Sequence, residues 1–300
     1  MSAAPLLLLA LPGAEDWADR LAAPLGAGRC ALESRRFPDG ESYLRVAGDV
    51  AGRAVAVVAQ LREPDPQLAA LLFLGDTLRE LGAARVGLVA PYLPYMRQDA
   101  RFRPGEAVTS RSFAKLLSGA YDALATVDPH LHRHASLGEI YAIDAAVAPS
   151  APAIAAWLQA EVARPHLVGP DEESAQWVGA VAALAGCPHA VLRKQRRGDR
   201  EVTIEAPALA SLQGRTPVLL DDIVSSAHTM AEAARRLLAL GTAPPVCVAL
   251  HALFAGDALA LLHAAGVARV ASCNTLPHPS NAIDVTASLA QAVRAVMASA

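Results

Sequence analysis

Residues 219–230 read LLDDIVSSAHTM, and this stretch sets the fold class of the chain. Leu219 and Leu220 end an apolar run typical of a buried strand, and a helical period begins at about Thr229. A strand that leads through a short turn into a helix is the repeating unit of a parallel α/β sheet. Such a junction also directs main-chain N–H groups and the positive end of a helix dipole toward any anion above the sheet.

The two carboxylates in this stretch, Asp221 and Asp222, stand beside a loop suited to anions and therefore need a different partner. Carboxylates accept hydrogen bonds well, and vicinal sugar hydroxyls donate them. A sugar phosphate satisfies both halves of the stretch, with its hydroxyls on the acids and its phosphate on residues 225–229. A capped helix whose acids are merely solvated is the alternative for this stretch taken alone.

Composition predicts a soluble globular α/β protein. The 300 residues are 53% hydrophobic, 18% charged and 4% aromatic, with a net charge of -3, so the chain can bury a core and does not resemble a disordered protein. We expect no nucleic-acid partner, because no run of like charge is long enough to follow a phosphate backbone. We expect no membrane partner, because no apolar stretch approaches the length of a span.

The cysteines and the N-terminus both favour a cytoplasmic location. The cysteines are far apart and include no C-x-x-C pair, which argues against a zinc site or a disulfide framework. The apolar N-terminus resembles a signal peptide, but its first basic residue is Arg20 and a helical pattern follows at once, so residues 6–9 are interpreted as a buried first strand. The four cysteines are Cys30, Cys187, Cys247 and Cys273.

Short apolar runs alternate with segments of helical period, which predicts repeated β-α units and mostly parallel sheets. Chain length predicts two domains, 1–146 and 147–300, divided at the Pro- and Ala-rich residues 146–152. The predicted strands are residues 55–59, 86–90, 123–127, 166–168, 218–220, 246–250 and 270–272. The predicted helices are residues 68–81, 110–117, 174–184, 229–240 and 257–265, with glycines suited to C-terminal caps at Gly82, Gly241 and Gly266.

Two motifs in the second half can carry charge-dependent chemistry. Residues 191–202 collect cations, among them Lys194 and Arg196, between two strand-like pieces. Movable cations can close over a polyphosphate and stabilise its charge during transfer, whereas a solvated hairpin turn is the alternative. Asp171 follows another predicted strand and is either an acid in the first turn of a helix or a contact to a metal or hydroxyl.

Two motifs in the first half display polar side chains in turns. Residues 37–42 read FPDGES, which fits an ordinary Pro-Asp-Gly turn as well as a recognition turn. The prolines and tyrosines of residues 91–103 predict a rigid loop suited to recognition, with a solvated basic loop as the alternative. The candidate contact residues are Phe37, Asp39, Glu41, Arg97 and Gln98.

Histidines follow a further predicted strand in residues 127–134, VDPHLHRH. Alternating histidines can indicate zinc, but no cysteine lies nearby in the sequence. His130, close to Asp128 and a nucleotide phosphate, can instead help to hold Mg²⁺, and a set of surface histidines without a ligand is the alternative.

Six of these motifs, in this order, resemble the ribose-phosphate diphosphokinase family, also called phosphoribosyl pyrophosphate synthetases. The resemblance runs from about residue 35 to the end and includes a late segment at residues 271–277. The Asp-Asp loop alone would indicate only the wider phosphoribosyltransferase fold, whereas the six motifs together are much more specific. The motifs are residues 37–41, 91–99, 127–130, 169–171, 194–196 and 220–229.

The resemblance implies an α/β fold with two similar phosphoribosyltransferase-type domains. It implies a Mg²⁺-dependent homo-oligomer, a dimer or higher, that transfers the diphosphoryl group of ATP to O1 of ribose 5-phosphate and leaves AMP. A non-catalytic regulator that binds nucleotide or sugar phosphate is one alternative, although Lys194 and Arg196 are both present. A phosphoribosyltransferase that consumes the activated sugar is another, and it would leave the motifs of residues 37–103 unexplained.

The resemblance assigns the second-half residues to the sugar phosphate and to the transfer itself. Lys194 and Arg196 would stabilise charge on the transferring group. Asp221 and Asp222 would bind the ribose hydroxyls. The 5-phosphate would lie on Ser225, Ser226, Ala227, His228 and Thr229.

The remaining assignments concern the metal and the nucleotide. His130 and Asp171 would help to position Mg²⁺. The chain departs from the usual family pattern in several places: residues 172–174 replace a glycine-rich segment, Ser225 stands where many members carry an acid, His228 stands where glycine is usual, and Pro129 and residues 132–134 differ from many members. ATP would contact Arg97 and Gln98 and, across a subunit interface, Phe37, Asp39 and Glu41.

Overall fold

The computed structural model describes residues 5–192 and 212–298. The chain divides into two compact units, of which the first comprises residues 1–149 and 286–300 and the second residues 150–285. The predicted boundary after residue 146 differs from this division chiefly in the C-terminal segment, which returns to the first unit.

The first unit is a seven-stranded sheet flanked by helices. Its strands are β1 (Leu7–Ala10), β2 (Gly28–Arg36), β3 (Ser42–Ala47), β4 (Ala54–Val58), β5 (Arg85–Ala90), β6 (Ala123–Val127) and β7 (Asp144–Ala148). Its helices are α1 (Glu15–Leu25), α2 (Leu68–Glu80), α3 (Thr109–Ala120) and, from the end of the chain, α8 (Thr286–Met297). The strand order is β3-β2-β1-β4-β5-β6-β7. Neighbouring strands are parallel except β2 and β3, which form an antiparallel hairpin.

Helices cover both faces of this sheet, which explains why its central strands are continuous apolar runs. Leu74 of α2 and Phe113 of α3 pack in one core with Leu88 of β5. On the other face, α8 contacts β5, β6 and β7, and the Met297 side chain lies against Gly87. The Nε of Arg85 donates to the main-chain oxygen of Val296 at 3.0 Å, which fixes the end of α8 on the first sheet.

The second unit is a six-stranded parallel sheet. Its strands are β8 (Pro165–Gly169), β9 (His189–Val191), β10 (Thr216–Val224), β11 (Val246–Ala252), β12 (Arg269–Cys273) and β13 (Asn281–Ile283). Its helices within the described residues are α4 (Ala151–Glu161), α5 (Ala175–Ala185), α6 (His228–Ala239) and α7 (Ala258–Ala264). The order β13-β12-β11-β10-β8-β9 repeats the order β7-β6-β5-β4-β1-β2 of the first unit. The prediction of two similar, mostly parallel domains is therefore confirmed.

The predicted strands and helices are all present, with ends displaced by a few residues. Gly82, Gly241 and Gly266 adopt φ values of 84°, 78° and 84°, as expected of glycines that follow helices. The Pro- and Ala-rich residues 146–152 contain the unit boundary but are not an irregular linker, because β7 ends and α4 begins within them and proline suits the first turn of a helix. In the part of the chain that the structure describes, no helix has both the length and the apolar character to cross a bilayer.

A close contact between α2 and α3 generates a stability prediction. A Cβ built on Gly75 would lie 2.6 Å from the main-chain oxygen of Ala120. We expect Gly75→Ala to destabilise the protein by roughly 1–3 kcal/mol, the usual cost of overpacking, although alanine favours helices. Gly119→Ala is the matched control, because the space around that exposed helical glycine is open, and it should stabilise by about 0.5–1 kcal/mol. Thermal unfolding measures the stability of both variants. If Gly75→Ala also stabilised the protein, α2 and α3 would be able to move apart enough to accept the added methyl group, and the prediction would be wrong.

Candidate active site

The paired acids of the second unit lie within β10, which continues to Val224. Leu219 pairs with Val168 of β8, so Asp221 and Asp222 lie level with the turn that follows β8. Asp222 is only 5% exposed. The N–H of Asp222 donates to Oδ1 of Asp221 at 3.0 Å, and the N–H of Ile223 donates to Oδ1 of Asp222 at 2.8 Å. The alternative of merely solvated acids is therefore wrong.

The position of the pair in the sheet is the one where α/β proteins form ligand sites. β9 lies on one side of β8 and β10 lies on the other, so the direction of chain progression reverses between β8 and β10. The connections that follow these two strands leave the sheet on opposite sides, which opens a crevice at their carboxyl ends. Both Asp171 and the Asp-Asp pair stand at this crevice.

Charge crowding is the main electrostatic feature of the site. Burial, followed by the negative charges of Asp222 and Asp171, raises the pKa of Asp221 to about 8. Each unit of such a shift reflects about 1.4 kcal/mol of differential interaction between the two protonation states. The folded chain thus holds three carboxylates in a place that disfavours their joint ionisation, and a cation or hydrogen-bond donors would relieve the repulsion.

Asp171 has a local structural role as well as a position at the crevice. Its Oδ1 accepts hydrogen bonds from the N–H groups of Glu173 and Ser174 at 3.1 and 3.2 Å, which caps a short 3₁₀ turn. Both bonds use the same oxygen, so Oδ2 is the atom that can face a ligand. The motif requires Gly169 because any Cβ there would collide with the hydroxyl oxygen of Ser174. Asp171 is thus the N-cap of this turn and not an acid within it, and its contact to a metal or hydroxyl stays a prediction.

The loop at residues 225–229 turns the chain from β10 into α6. Ala227 precedes α6 in the left-handed conformation, with φ of 60°, and its side chain does not cap the helix. Alanine adopts this conformation at an energetic cost, a form of strain that concentrates at functional sites. Ser226, His228 and Thr229 are exposed at the start of the helix. The loop therefore presents hydroxyls and the first amides of α6 together, an arrangement suited to an anion.

A pocket of about 230 Å³ brings two predicted site residues of this unit together. Asp171 and Thr229 both line it. Leu192, the last described residue before the cationic stretch, lines it as well. Lys194 and Arg196 follow in sequence but lie outside the described residues. The complete lining is Pro170, Asp171, Leu192, Thr229, Glu232, Ala233 and Arg236.

In the first unit, the residues 37–42 motif is the tip of the β2–β3 hairpin. The N–H of Phe37 donates to the main-chain oxygen of Glu41 at 2.8 Å, and the N–H of Glu41 donates to Oδ1 of Asp39 at 3.2 Å. The Phe37 ring is 39% exposed, and the Arg35 guanidinium lies 4.6 Å from its centroid. The turn therefore displays an aromatic ring and carboxylates to the outside.

The second motif of the first unit, residues 91–103, forms an irregular loop after β5, as predicted. Arg97 is exposed, and the main-chain oxygen of Gln98 accepts from the N–H of Ser110 at the start of α3 at 3.4 Å. The buried Asp99 forms an ion pair with Arg133 at 3.2 Å. These contacts fix the base of the loop, and the guanidinium of Arg97 projects from it.

The histidine motif follows β6 through a strained residue, since Asp128 has φ of 23°. The ring nitrogens Nδ1 of His130 and Nε2 of His132 lie 3.0 Å apart, so one imidazole donates to the other. His134 contacts the Glu139 carboxylate at 3.1 Å. These histidines interact with neighbours in the fold and are not an isolated surface set.

The sequence did not reveal the residues that hold the start of the loop at residues 225–229 through main-chain hydrogen bonds. The N–H of Phe254 donates to the main-chain oxygen of Val224 at 2.9 Å, and the N–H of Ala255 donates to that of Ser225 at 3.0 Å. Main-chain hydrogen bonds of this kind leave no side-chain pattern that a sequence could reveal.

Comparison with known proteins covers both units. Residues 6–120 match the family described as the N-terminal domain of ribose phosphate pyrophosphokinase, and residues 136–288 match the phosphoribosyl transferase domain. The ribose-phosphate pyrophosphokinase of Methanopyrus kandleri is 35% identical over 91% of this chain and 94% of its own length. That of Sulfolobus acidocaldarius is 32% identical over 93% and 98%. The crystal structure of phosphoribosylpyrophosphate synthetase from Mycobacterium smegmatis aligns with a TM-score of 0.85 at 25% identity, covering 99% of this chain and 100% of that one.

The crowded carboxylates predict an unusual dependence of stability on pH. Because the pKa of Asp221 is raised to about 8 in the folded chain, folding is favoured while this group is protonated and loses that contribution as the pH rises from about 4 toward 8. Asp221→Asn removes the effect, so the variant should gain stability over the parent with rising pH, by at least about 1 kcal/mol at pH 8. Thermal unfolding in EDTA measures the difference. The exposed Asp257→Asn is the control, and an identical trend there would contradict the explanation.

Proposed function

The chain belongs to the ribose-phosphate pyrophosphokinase family, and we propose that it transfers the diphosphoryl group of ATP to O1 of ribose 5-phosphate, with phosphoribosyl pyrophosphate and AMP as products. The observation that carries this proposal in the chain itself is the carboxylate cluster beside the phosphate-type loop of the second unit. A phosphoribosyltransferase that only consumes the product would not account for the first unit. A non-catalytic regulator is not favoured, because curated enzymes match along nearly the whole chain.

Ribose 5-phosphate fits the crevice of the second unit by its two kinds of polar group. The main-chain bonds to Oδ1 of Asp221 and Oδ1 of Asp222 fix the orientation of both carboxylates. We assign these carboxylates to the 2- and 3-hydroxyls of the ribose. The 5-phosphate is assigned to residues 225–229, where it receives hydrogen bonds from the first amides of α6 and from the hydroxyls of Ser226 and Thr229. Contacts at both ends of the sugar would hold O1 in a fixed direction for attack.

The acidic residues of the second unit fit a magnesium ion. Mg²⁺ binds through one or two carboxylates together with substrate phosphates. The repulsion that raises the pKa of Asp221 is the observation that supports a cation here, and Asp171 contributes to that repulsion. We assign Asp171 to the metal and keep His130, in the first unit, as a predicted contributor. Bound magnesium would neutralise negative charge on the transferred group.

Transfer of the diphosphoryl group requires positive charge that follows the group as it moves. We assign this role to Lys194 and Arg196 on the basis of their motif. Phosphoryl-type transfer depends on positioning and on electrostatic stabilisation more than on covalent catalysis. The positioned O1 hydroxyl would attack the β-phosphorus of ATP, its proton would pass to solvent, and AMP would leave with the electrons of the broken bond. Leu192, two residues before Lys194, lies in the wall of the pocket that contains Asp171, which supports this assignment.

ATP recognition is assigned to the first unit. Arg97 offers an exposed guanidinium for phosphates, and Gln98 lies beside it on the same fixed loop. Phe37, with Asp39 and Glu41, offers a ring and two carboxylates that match the stacking and donor needs of adenine. Because the hairpin tip is exposed in the single chain, we propose that it serves a neighbouring subunit of a homo-oligomer. A cytoplasmic location agrees with the four free thiols.

The reaction itself predicts a strict pattern of product formation. AMP should appear from ATP only when ribose 5-phosphate and Mg²⁺ are both present, because the sugar hydroxyl is the acceptor and the ion offsets the charge of the transferred group. Chromatography of the nucleotides measures AMP and ADP separately. ADP in place of AMP, or no AMP in the complete mixture, would contradict diphosphoryl transfer.

The cationic motif predicts a specific kinetic defect. Lys194→Ala should reduce kcat by roughly 10²-fold or more while leaving the melting temperature nearly unchanged, as expected for a charge that acts chiefly in the transition state. Arg200→Ala, which removes a cation from the same stretch but outside the motif, is the matched control and should retain most activity. Equal activity of Lys194→Ala and the control would remove Lys194 from the mechanism.

A further inference from the structure

A buried histidine lies beside the support of the phosphate loop and has no role in the chemistry proposed above. His251 occupies the carboxyl end of β11 and is 1% exposed. Its strand neighbour in β10 is Ile223, next to Asp222. Thr275, on the segment that follows β12, is fully buried against it. The chain thus places an imidazole and a hydroxyl in its interior, where polar groups need defined partners.

The hydrogen bonds of this pair indicate which nitrogen of the His251 imidazole carries the proton. The Thr275 hydroxyl lies 3.1 Å from the main-chain oxygen of Leu250, and a carbonyl oxygen can only accept, so the hydroxyl proton is used there. Nδ1 of His251 lies 2.9 Å from the same hydroxyl oxygen. With the hydroxyl proton directed to Leu250, Nδ1 of His251 would donate to the hydroxyl oxygen and carry the imidazole proton.

Thr275 is held in place by asparagine side chains on both sides. The Nδ2 of Asn281 donates to the main-chain oxygens of Cys273 and Leu276 at 3.0 and 2.9 Å. The Oδ1 of Asn274 accepts from the N–H of Val285 at 3.0 Å. The segment around Thr275 is therefore tied to its surroundings by three hydrogen bonds between side chains and the main chain.

The main chain of His251 connects, through a turn and two hydrogen bonds, to the start of the loop at residues 225–229. The main-chain oxygen of His251 accepts from the N–H of Leu253 at 3.0 Å, which closes a tight turn at the end of β11. The next two amides, of Phe254 and Ala255, donate to the main-chain oxygens of Val224 and Ser225. A displacement of His251 would therefore move the residues that hold the first member of the phosphate loop.

We infer that His251 and Thr275 are positioning residues for ribose 5-phosphate. Thr275 fixes the imidazole, the imidazole fixes the turn at residues 251–255, and this turn holds Ser225 so that the loop keeps the shape required by the 5-phosphate. The inference rests on the assignment of residues 225–229 to the phosphate. It adds a layer of the site that contacts neither substrate.

Removal of the Thr275 hydroxyl tests the inference. Thr275→Val should raise the KM for ribose 5-phosphate by about tenfold, within the range for one buried hydrogen bond with its partner left unpaired, and should change kcat and the KM for ATP much less. Thr275→Ser keeps the hydroxyl and should restore the KM. Thr216→Val is the matched control, because Thr216 also donates to a main-chain oxygen, that of Ala163 at 2.9 Å, but at the opposite end of β10.

A second measurement does not depend on substrate. Nitrogen chemical shifts of His251 in ¹⁵N-labelled protein should report the Nδ1–H form in the parent and a changed signal in Thr275→Val. An Nε2–H form in the parent would overturn the inference even if Thr275→Val fails to fold. So would a folded Thr275→Val with an unchanged KM for ribose 5-phosphate.

Thr229→Ala separates this inference from the assignment beneath it. If Thr229→Ala raises the KM for ribose 5-phosphate and Thr275→Val does not, the loop binds phosphate and the positioning role is wrong. If neither variant changes that KM, the assignment of the loop to the 5-phosphate fails as well.

Discussion

The candidate site of the second unit depends on one electrostatic constraint, the mutual repulsion of three carboxylates near the carboxyl ends of two adjacent parallel strands. The sheet order makes β8 and β10 neighbours, and the register sets Asp171 level with Asp221 and Asp222. The fold is compatible with this charge because strand pairing and the apolar core of the second unit maintain the geometry. A cation or hydrogen-bond donors beside these carboxylates would relieve the repulsion, so the chemistry that this position favours follows from the packing of the strands.

The sequence predicted the local elements of the fold well and its long-range arrangement poorly. Apolar runs such as residues 55–59 indicate strands by themselves, since burial on both faces of a parallel sheet requires them. The β2–β3 hairpin was missed because β2 alternates buried and exposed positions weakly and ends in charged residues. The return of α8 to the first unit was missed because it depends on contacts with β5–β7, far away in sequence.

For the site, the sequence predicted residues whose side chains suit the proposed chemistry but not the residues that position them. Asp221 and Asp222 could be predicted as candidate site residues because adjacent acids at the end of an apolar run are unusual. The left-handed backbone conformation of Ala227 could not be predicted, because nothing about alanine requires that conformation. The turn at residues 251–255 acts through main-chain groups, which every residue possesses. The types of the side chains thus indicate the chemistry that the site can carry. The positions of those side chains depend largely on the surrounding backbone, which the sequence does not reveal.

The position of the C-terminal helix α8 affects the order in which the two units can complete their folding during synthesis. Residues 150–285 form the second unit and leave the ribosome before α8, which covers one face of the first sheet. The second unit can therefore complete its core during synthesis, whereas the first must wait for the final residues. The first unit is therefore the first to be synthesised and the last to complete its core. Until α8 has been synthesised, the face of the first sheet around Gly87 lacks the helix that covers it in the folded chain.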